Sequence, residues 1–399
     1  MEQRYYIKHL INHDSTLKDC AISIEAGIIT DIRPGRTPHA GETYFYAIPG
    51  FIDMHTHGGN GRELMDNSTE ALDEICRFYL QNGTTSFLAS TVTTDLDKTE
   101  SVLRTAEAFI RSNEAKSDKP AMQSPLLGIH LEGPWLSMKN LGAQNPEHCI
   151  VPDERSLSLV EKYHEIIKMV TFSYHTKESE QLLDLLVKKN IIPACGHDES
   201  HDERILEGFK KGVKVITHIY CVTSTFQRRN GLKHLGTIEM GLMTDGINVE
   251  VIADGKHITK YFWDFIRHNK KVEDIIIISD SMRCAGLENE PGKKYKLGAI
   301  DAIIDDGVAW LVDKSAFAGS VATMYSNFKM IVNQWNVNMN DAVRMTSYNQ
   351  ALLLKIVDGV GEIKPGRIAD ILLLDEELNL KKIIKSGVEV ERHPRVVLS

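Results

Sequence analysis

Between residues 49 and 357, short apolar runs alternate with segments in which apolar residues recur every three or four positions. The apolar runs are typical of buried parallel strands, and the periodic segments are typical of the amphipathic helices that connect such strands. The strands predicted in this way lie at 51–54, 86–89, 126–131, 169–173, 191–194, 213–217, 248–252 and 275–279.

The periodic segments also carry signals for helix boundaries. Ser68 is placed to cap the first helix, and Gly83 is placed to end it. Further helices are predicted at 178–189, 203–211 and 260–269. Eight strands with intervening helices in about three hundred residues predict a (β/α)8 TIM-type barrel. An open doubly wound sheet is disfavoured, because no G-x-G-x-x-G motif follows the first strand.

The two ends of the chain have a different pattern, with short strands and no helical periodicity. Strands are predicted at 5–10, 20–24 and 28–32, with Ala26-Gly27 as a hairpin turn, and again over 361–374 and 388–397. Two β segments at opposite ends most simply form one small β domain. We therefore expect a β domain from residues 1–48 and 358–399, and a barrel from residues 49–357.

Composition narrows the class of protein further. Of the 399 residues, 42% are hydrophobic and 25% are charged, as in an ordinary soluble globular protein. A net charge of -9 argues against a nucleic-acid partner. Membrane spanning and secretion are not expected, because no long apolar run occurs and residues 1–30 are charged throughout. Six scattered cysteines without a C-x-x-C pair favour a cytoplasmic location.

Several predicted barrel strands end in side chains that bind metal ions. In a barrel of this type, the carboxyl ends of the strands form the active site. The side chains at five of these ends are His55 and His57, His130 and Glu132, His197, His218, and Asp280. The pair in H-T-H points to one face of a strand, because alternate residues of a strand share a face. This concentration of ligand residues predicts a metal centre.

Imidazoles and a carboxylate suit a divalent ion such as zinc or iron. Glu132, His197 and His218 form a minimal three-ligand site. His55 and His57 are able to hold a second ion, with Glu132 as a bridge, so one or two ions per subunit are expected. Asp280 is the predicted acid and base, since a carboxylate beside an activated water can take a proton and later deliver it to a leaving group.

Seven motifs resemble the amidohydrolase superfamily and, within it, the family of N-acetylglucosamine-6-phosphate deacetylases. They are P-G-F-I-D-M-H-T-H-G at 49–58, G-I-H-L-E-G-P at 128–134, G-H at 196–197, T-H at 217–218, A-D-G-K-H at 253–257, S-D-S-M at 279–282 and A-G-S at 318–320. The resemblance implies a barrel with a small β-sandwich from both termini, a homodimer, and hydrolysis of the acetamide of an amino-sugar 6-phosphate. It matches Glu132, His197 and His218 to metal ligands and Asp280 to the catalytic aspartate.

The resemblance also implies substrate contacts. They fall on Ala143, Gln144, Cys221, Val222, Arg229, His257, Phe317, Ala318, Gly319 and Ser320. Arg229 and His257 are the expected contacts of the sugar phosphate, and in this family the arginine can act across the dimer interface. Arg228 is an alternative phosphate ligand, because either guanidinium suits a phosphate.

The chain departs from the family pattern in its substrate-facing loops. Tyr220-Cys221-Val222-Thr223 replaces an aromatic-Asn-Ala-Met run, Asn230-Gly231 replaces Glu-Pro-Gly, and Ser173-Tyr174-His175 replaces Ala-Pro-Glu. Deacetylation of N-acetylgalactosamine 6-phosphate, or of another acylated amino sugar, therefore stays open. A catalytically inactive binding protein with this fold is the alternative of a different class. The complete set of ligands and Asp280 argues against it.

Overall fold

The computed structural model describes residues 3–35, 43–114, 123–288, 290 and 292–391. Its centre is one sheet of eight parallel strands, which are neighbours in the order in which they occur along the chain. These barrel strands are Phe51–Asp53, Thr84–Ser90, Leu126–Glu132, Ile167–Phe172, Ile192–Cys195, Val215–Ile216, Asn248–Ile252 and Ile275–Ile278. The predicted eight-stranded barrel is confirmed, although the sixth strand is shorter than the predicted 213–217.

The first and eighth barrel strands meet through a carboxylate and a backbone contact. Asp53 Oδ2 accepts a hydrogen bond of 2.5 Å from Ser279 Oγ. Asp53 Oδ1 accepts a second hydrogen bond of 3.2 Å from Ser279 N–H. One residue further on, Asp280 N–H donates to the carbonyl of His55 at 2.9 Å. These contacts close the barrel at its carboxyl end, beside the first pair of predicted metal ligands.

Helices surround the barrel. Those between the strands are Thr69–Gln81, Leu96–Glu114, Glu154–Lys162, Ser179–Lys188, Glu203–Lys211, Thr237–Met243 and Lys260–Asn269, with short 3-10 turns at Leu64–Asp66, Pro146–His148 and Val272–Asp274. After the eighth strand come Met324–Lys329, Met330–Gln334, Met339–Val343, Arg344–Tyr348 and Asn349–Leu353. Ser68 Oγ accepts from Ala71 N–H at 3.1 Å, so Ser68 caps the first helix as predicted. Among the described helices, none has the length and apolar character needed to cross a membrane.

Strands from both ends of the chain form a second sheet of seven strands, called here the terminal sheet. Its strands are Gln3–Ile11, Thr16–Glu25, Ile28–Pro34, Thr43–Pro49, Ile371–Leu374, Leu380–Lys385 and Val388–Val390. The sheet curls over its own apolar core, and its two outer hairpin turns meet. A Cβ on Gly27 would lie 2.8 Å from the carbonyl oxygen of Ser386, so this contact needs glycine.

The two ends of the chain form strands, as predicted, but some of the predicted strand bounds were wrong. Residues 361–370 form turns with one isolated bridge from Ile368 to Ile28, because this segment wraps the edge of the terminal sheet. The strand predicted at 388–397 is observed as Val388–Val390, and its residues 392–397 lie outside the described part of the chain. The strand Thr43–Pro49, which leads into the barrel, was not predicted.

Two further β elements were not predicted and lie above the carboxyl end of the barrel. Gln227–Arg229 and Leu232–His234 form a two-stranded unit, called here the arginine hairpin. Lys294–Leu297, Ile300–Asp305 and Val308–Leu311 form a three-stranded antiparallel sheet between the eighth barrel strand and the last helices. A short ladder also joins Gly58–Gly59 to Arg62–Glu63.

Candidate active site

The ends of five barrel strands bring six buried side chains together, called here the histidine–carboxylate cluster. Its members are His55, His57, Glu132, His197, His218 and Asp280, each at most 6% exposed. Glu132 lies at its centre. Glu132 Oε1 is 2.9 Å from His218 Nε2 and 3.0 Å from His197 Nε2. Glu132 Oε2 faces the other side, 3.4 Å from His57 Nε2.

Asp280 faces the two histidines of the H-T-H motif. Its Oδ1 lies 3.2 Å from His57 Nε2 and 3.6 Å from His55 Nε2. His55 is therefore common to two possible ligand groups, one with Glu132 and His218 and one with His57 and Asp280. Within each group, the candidate ligand atoms all lie within 4.8 Å of one another.

The chemistry of these donors fits a divalent cation. His55 Nε2 and Asp280 Oδ1 are buried and have no hydrogen-bond partner among the described residues. Buried polar atoms are normally paired, so two such atoms that face one point indicate a ligand between them. Imidazole nitrogens and carboxylate oxygens in this mixture suit zinc or iron. The two oxygens of Glu132 face different histidines, as a bridging carboxylate requires.

Two of the histidine rings, those of His57 and His197, are held from behind through their second nitrogen. His197 Nδ1 lies 2.9 Å from the carbonyl oxygen of Asn140, and His57 Nδ1 lies 3.3 Å from that of Ser90. A carbonyl oxygen only accepts, so each of these Nδ1 atoms carries the proton and Nε2 presents its lone pair to the centre. His130, by contrast, bonds Ser90 and Thr171 inside the barrel and stays outside the cluster.

Three members of the cluster have a left-handed backbone. The φ angles are 49° at His197, 25° at His218 and 48° at Asp280. For residues other than glycine such conformations cost about 1–3 kcal/mol each. They occur where the strands end, and they turn the three side chains toward a common centre. Strain of this kind therefore falls on three of the residues that the sequence identifies as ligands and catalytic acid.

Electrostatics keeps the two carboxylates ionised. Burial acts to raise the pKa of Asp280, but the imidazoles of His55 and His57 outweigh it and hold that pKa below its usual value. Burial acts on Glu132 in the same way, and the surrounding histidines hold its pKa well below the usual value. Both groups are thus able to accept a proton or to bind a cation.

A cavity of about 370 Å³ opens onto the cluster. Of the predicted substrate contacts, it is lined by Ala143, Gln144, Cys221, Val222, His257, Phe317 and Gly319. Gln144 Nε2 donates to Glu132 Oε2 at 2.9 Å, which ties this loop to the cluster. His257 Nδ1 lies 2.7 Å from Asp254 Oδ2.

Two predicted contacts lie behind the cavity wall. Ala318 and Ser320 are fully buried and are not among the residues that line the cavity. Ser320 Oγ donates to the carbonyl of Ser279 at 2.6 Å, and Ser320 N–H donates to that of Asp280 at 2.8 Å. The structure thus brings Ser320 against the backbone of Asp280, where it supports the left-handed turn.

Arg229 lies away from the cavity of its own chain. It is exposed on the arginine hairpin, where its Nη2 lies 3.3 Å from His201 Nδ1. Arg228 beside it is exposed as well. In the described part of the chain, no lysine or arginine is among the residues that line the cavity. A phosphate bound there would need a cation from elsewhere.

One wall of the cavity was not predicted from the sequence. Leu297, Trp310, Ser315 and Ala316 line it and come from the three-stranded sheet and the segment that follows it. The Trp310 ring packs on Phe317 at 4.3 Å between centroids. The signal was present in the sequence, because Gly298 and Gly307 separate three short runs of alternating polarity.

Comparison with known proteins agrees with this geometry. The profile of the amidohydrolase family matches residues 46–393. N-acetylglucosamine-6-phosphate deacetylase of Bacillus subtilis is 30% identical over 388 residues, which are 95% of this chain and 94% of the relative. The crystal structure of N-acetylglucosamine-6-phosphate deacetylase from Thermotoga maritima has a TM-score of 0.84 and 31% identity, and the match covers 98% of this chain and 100% of that chain.

A relative that acts on a different sugar also matches. N-acetylgalactosamine-6-phosphate deacetylase of Escherichia coli O157:H7 is 25% identical over 386 residues, which are 95% of this chain and 97% of the relative. The family profile covers most of the chain, including all six members of the histidine–carboxylate cluster. The chain belongs to the amidohydrolase family, and within that family it resembles the deacetylases of amino-sugar 6-phosphates.

Proposed function

We propose that this chain is a metal-dependent hydrolase that removes the acetyl group from N-acetylglucosamine 6-phosphate, giving glucosamine 6-phosphate and acetate. One observation carries the proposal. Four histidine Nε2 atoms converge on Glu132 beside a cavity, and Asp280 lies against two of these histidines, in a chain 30% identical to such a deacetylase along nearly its whole length.

Glu132, His197 and His218 would hold a first ion. His55 and His57, together with Glu132, would hold a second one, so that each subunit would take one or two ions of zinc, iron or a similar metal. When bound there, a divalent ion polarises the amide carbonyl and lowers the pKa of water. The short contacts of Glu132 with the histidines on both of its sides support this assignment.

Asp280 moves the proton. Its carboxylate is ionised and faces the cluster, so Oδ1 takes a proton from the attacking water as the new C–O bond forms at the acetyl carbon. The same oxygen then delivers that proton to the sugar nitrogen as the amide C–N bond breaks. Asp280 is ionised again as soon as that proton has passed to the nitrogen. The acetic acid formed then loses its own proton to solvent, so the products are the free amine and acetate.

The remaining lining residues orient the sugar. Ala143, Gln144 and the loop at Phe317 and Gly319 lie beside the cluster and contact the acetamido end of the substrate. Trp310 and Phe317 offer apolar ring faces against which the carbon skeleton of a sugar packs. His257, held by Asp254, contacts a polar group of the substrate at the other side of the cavity.

Arg229 binds the phosphate of a site in a second subunit. The arginine hairpin is exposed, and it carries apolar side chains at Leu232 (67% exposed) and, next to it, Phe226 (49% exposed). Exposed apolar groups beside a cation suit a surface that a partner subunit covers. The functional unit is thus a homodimer.

A cytoplasmic location is supported by all six cysteines being free thiols.

The test is a side-by-side assay of the gluco and galacto 6-phosphates on protein whose metal content has been measured. We expect release of acetate and free amine from both sugars, with the larger kcat/KM for N-acetylglucosamine 6-phosphate. A larger kcat/KM for the galacto epimer would assign the chain to the alternative that the 25% identical relative represents. Absence of turnover of both sugars by metal-loaded protein would favour an inactive binding protein.

A further inference from the structure

One fully buried carboxylate behind the histidine–carboxylate cluster has no part in the reaction proposed above. Glu250 is the third residue of the seventh barrel strand, Asn248–Ile252, and is 0% exposed. Its strand neighbours Val249 and Val251 are apolar and buried. A charged residue in such a strand opposes burial, so its presence calls for a specific partner.

Glu250 contacts one histidine from each proposed ion site. Its Oε2 lies 3.1 Å from His55 Nδ1 and accepts a hydrogen bond of 3.2 Å from the backbone N–H of His218. The backbone carbonyl of Glu250 accepts from the N–H of Ile219 at 2.8 Å. Glu250 therefore holds two groups at the same time. They are the imidazole ring of His55, after the first strand, and the left-handed backbone of His218, after the sixth strand.

In the described part of the chain, the charge of Glu250 has no lysine or arginine partner. Among the described residues its ion-pair partner is His55, whereas the buried Asp370 pairs with Lys385 at 2.6 Å and the buried Glu63 pairs with Arg283 at 2.8 Å. Burying a carboxylate is unfavourable unless a positive charge and hydrogen bonds compensate it. A cation bound at His55 Nε2 would supply that positive charge through the imidazole ring.

We propose that Glu250 is a positioning residue of the metal centre. It holds the proton of His55 on Nδ1, so that Nε2 keeps its lone pair toward Glu132 and Asp280. Through the same oxygen it fixes the backbone of His218, and it thereby couples the two ion sites. The inference rests on the proposed metal-dependent function, and it assigns to Glu250 a share of metal affinity that the ligands alone do not provide.

The test compares metal binding by the wild type and by Glu250→Gln. Glutamine keeps the shape and one acceptor oxygen but removes the charge. Each protein is stripped of metal and titrated with Zn²⁺ against a competing chromogenic chelator. We expect Glu250→Gln to bind its weaker ion, or its single ion if one binds, about 10- to 100-fold less tightly. With Co²⁺ in place of Zn²⁺, we also expect its visible absorption spectrum to change.

Asp370→Asn is the matched control, because it removes a buried carboxylate of the terminal sheet, far from the cluster in the fold. We expect it to lower the melting temperature and to leave zinc affinity and the cobalt spectrum unchanged. If Glu250→Gln does not fold, Glu250→Asp takes its place. It keeps the charge at a shorter reach and is expected to bind zinc more weakly than the wild type.

The outcomes separate the inference from the proposed function. Wild-type zinc affinity and an unchanged cobalt spectrum in Glu250→Gln, together with normal turnover by the wild type, would overturn the inference and leave the function standing. A loss of affinity no larger than in Asp370→Asn, with an equal loss of melting temperature in the metal-free proteins, would reduce Glu250 to a structural role and overturn the inference as well. A wild-type protein that binds no metal would overturn both proposals.

Discussion

The carboxyl end of the barrel and the terminal sheet both bury charged side chains, but they neutralise them differently. In the terminal sheet, Asp370 receives hydrogen bonds from Lys385 Nζ at 2.6 Å and from Ser386 N–H at 2.8 Å. At the end of the barrel, the three carboxylates of Glu132, Asp280 and Glu250 are buried with histidines as their ion-pair partners among the described residues. The first region neutralises its carboxylate with a lysine, whereas the second gathers carboxylates and imidazoles that could hold a cation.

The backbone shows the same difference. Left-handed residues of the terminal sheet lie mostly in turns, as at Ala26 and Ser386, where a tight hairpin requires such a conformation, although Asp19 lies within the strand Thr16–Glu25. At the end of the barrel, the left-handed residues include His197, His218 and Asp280, which all belong to the histidine–carboxylate cluster. At His218 and Asp280, this strain coincides with a buried polar atom that has no hydrogen-bond partner among the described residues. Backbone strain together with unpaired buried polar atoms is typical of a functional site, where the requirements of the chemistry lower the stability of the fold.

The largest effect is expected from removal of a central ligand. We expect His218→Ala or His197→Ala to lose the core metal ion and all measurable turnover, because each ring contacts Oε1 of Glu132. His57→Ala is expected to lose at most a second, weaker ion. Elemental analysis of the purified variants is the measurement. Full retention of metal by His218→Ala would remove this histidine from the ligand set.

The next effect concerns Asp280, which we expect to be needed for proton transfer and dispensable for the core ion. Asp280→Asn should keep its fold and that ion and lose about 10²- to 10⁴-fold in kcat, because an amide cannot take a proton from water. Rate measurements on metal-quantified protein test this. A rate near that of the wild type would contradict the assignment of Asp280 as the acid and base.

The terminal sheet should respond in the opposite way, through stability alone. Lys385→Ala leaves Asp370 buried without its cation, and we expect a loss of about 3–5 kcal/mol in the free energy of unfolding. The kcat of the folded protein should stay unchanged. Lys381→Ala is the control, because Lys381 is exposed and its 3.6 Å pair with the half-buried Asp375 is worth at most about 1 kcal/mol. Equal losses of unfolding free energy in the two variants would show that the buried pair of Asp370 and Lys385 contributes no more to stability than the pair of Lys381 and Asp375.

Much of the fold was predictable because burial alone sets its pattern. Parallel barrel strands are covered on both faces, so they appear in the sequence as apolar runs, and the helices Glu203–Lys211 and Lys260–Asn269 agree with the predicted bounds. The sixth strand was overestimated, since Val213 and Thr217, at the two ends of the predicted segment, are buried without being in the ladder. Hydrophobicity indicates which residues are buried, but it does not indicate which of them are hydrogen-bonded in a β ladder.

The candidate site was predictable only in part. Side chains at strand ends could be collected, because the barrel geometry dictates where those ends meet. Trp310 could not be assigned to the cavity, since it reaches it through the packing of a three-stranded sheet on distant loops. Glu250 was visible as a charge within an apolar strand, but its contact with His55 depends on which way each barrel residue faces.

The smallest expected effect tests whether Arg229 supplies the positive charge that binds the phosphate of the substrate. We expect Arg229→Ala to raise KM for the 6-phosphorylated sugar and to reduce kcat/KM on the order of ten- to a hundred-fold, because a charge-assisted contact worth about 1.5–3 kcal/mol is lost. Activity on the unphosphorylated sugar should hardly change. Arg228→Ala is the matched control on the same hairpin. Equal losses on both sugars would make Arg229 structural, and no loss would shift the phosphate contact to Arg228 or Lys256.

A mixing experiment then decides which subunit supplies the arginine. When Arg229→Ala and Asp280→Asn proteins are combined and allowed to exchange subunits, a mixed dimer contains one site with an intact Asp280 and with Arg229 from its partner. If the arginine acts across the interface, activity on the phosphorylated sugar should rise above that of either variant alone. If it acts within its own chain, no site in the mixture is complete and activity should not rise. A protein that remains monomeric in light scattering would contradict the proposed homodimer, and the phosphate would then need a cation from the same chain.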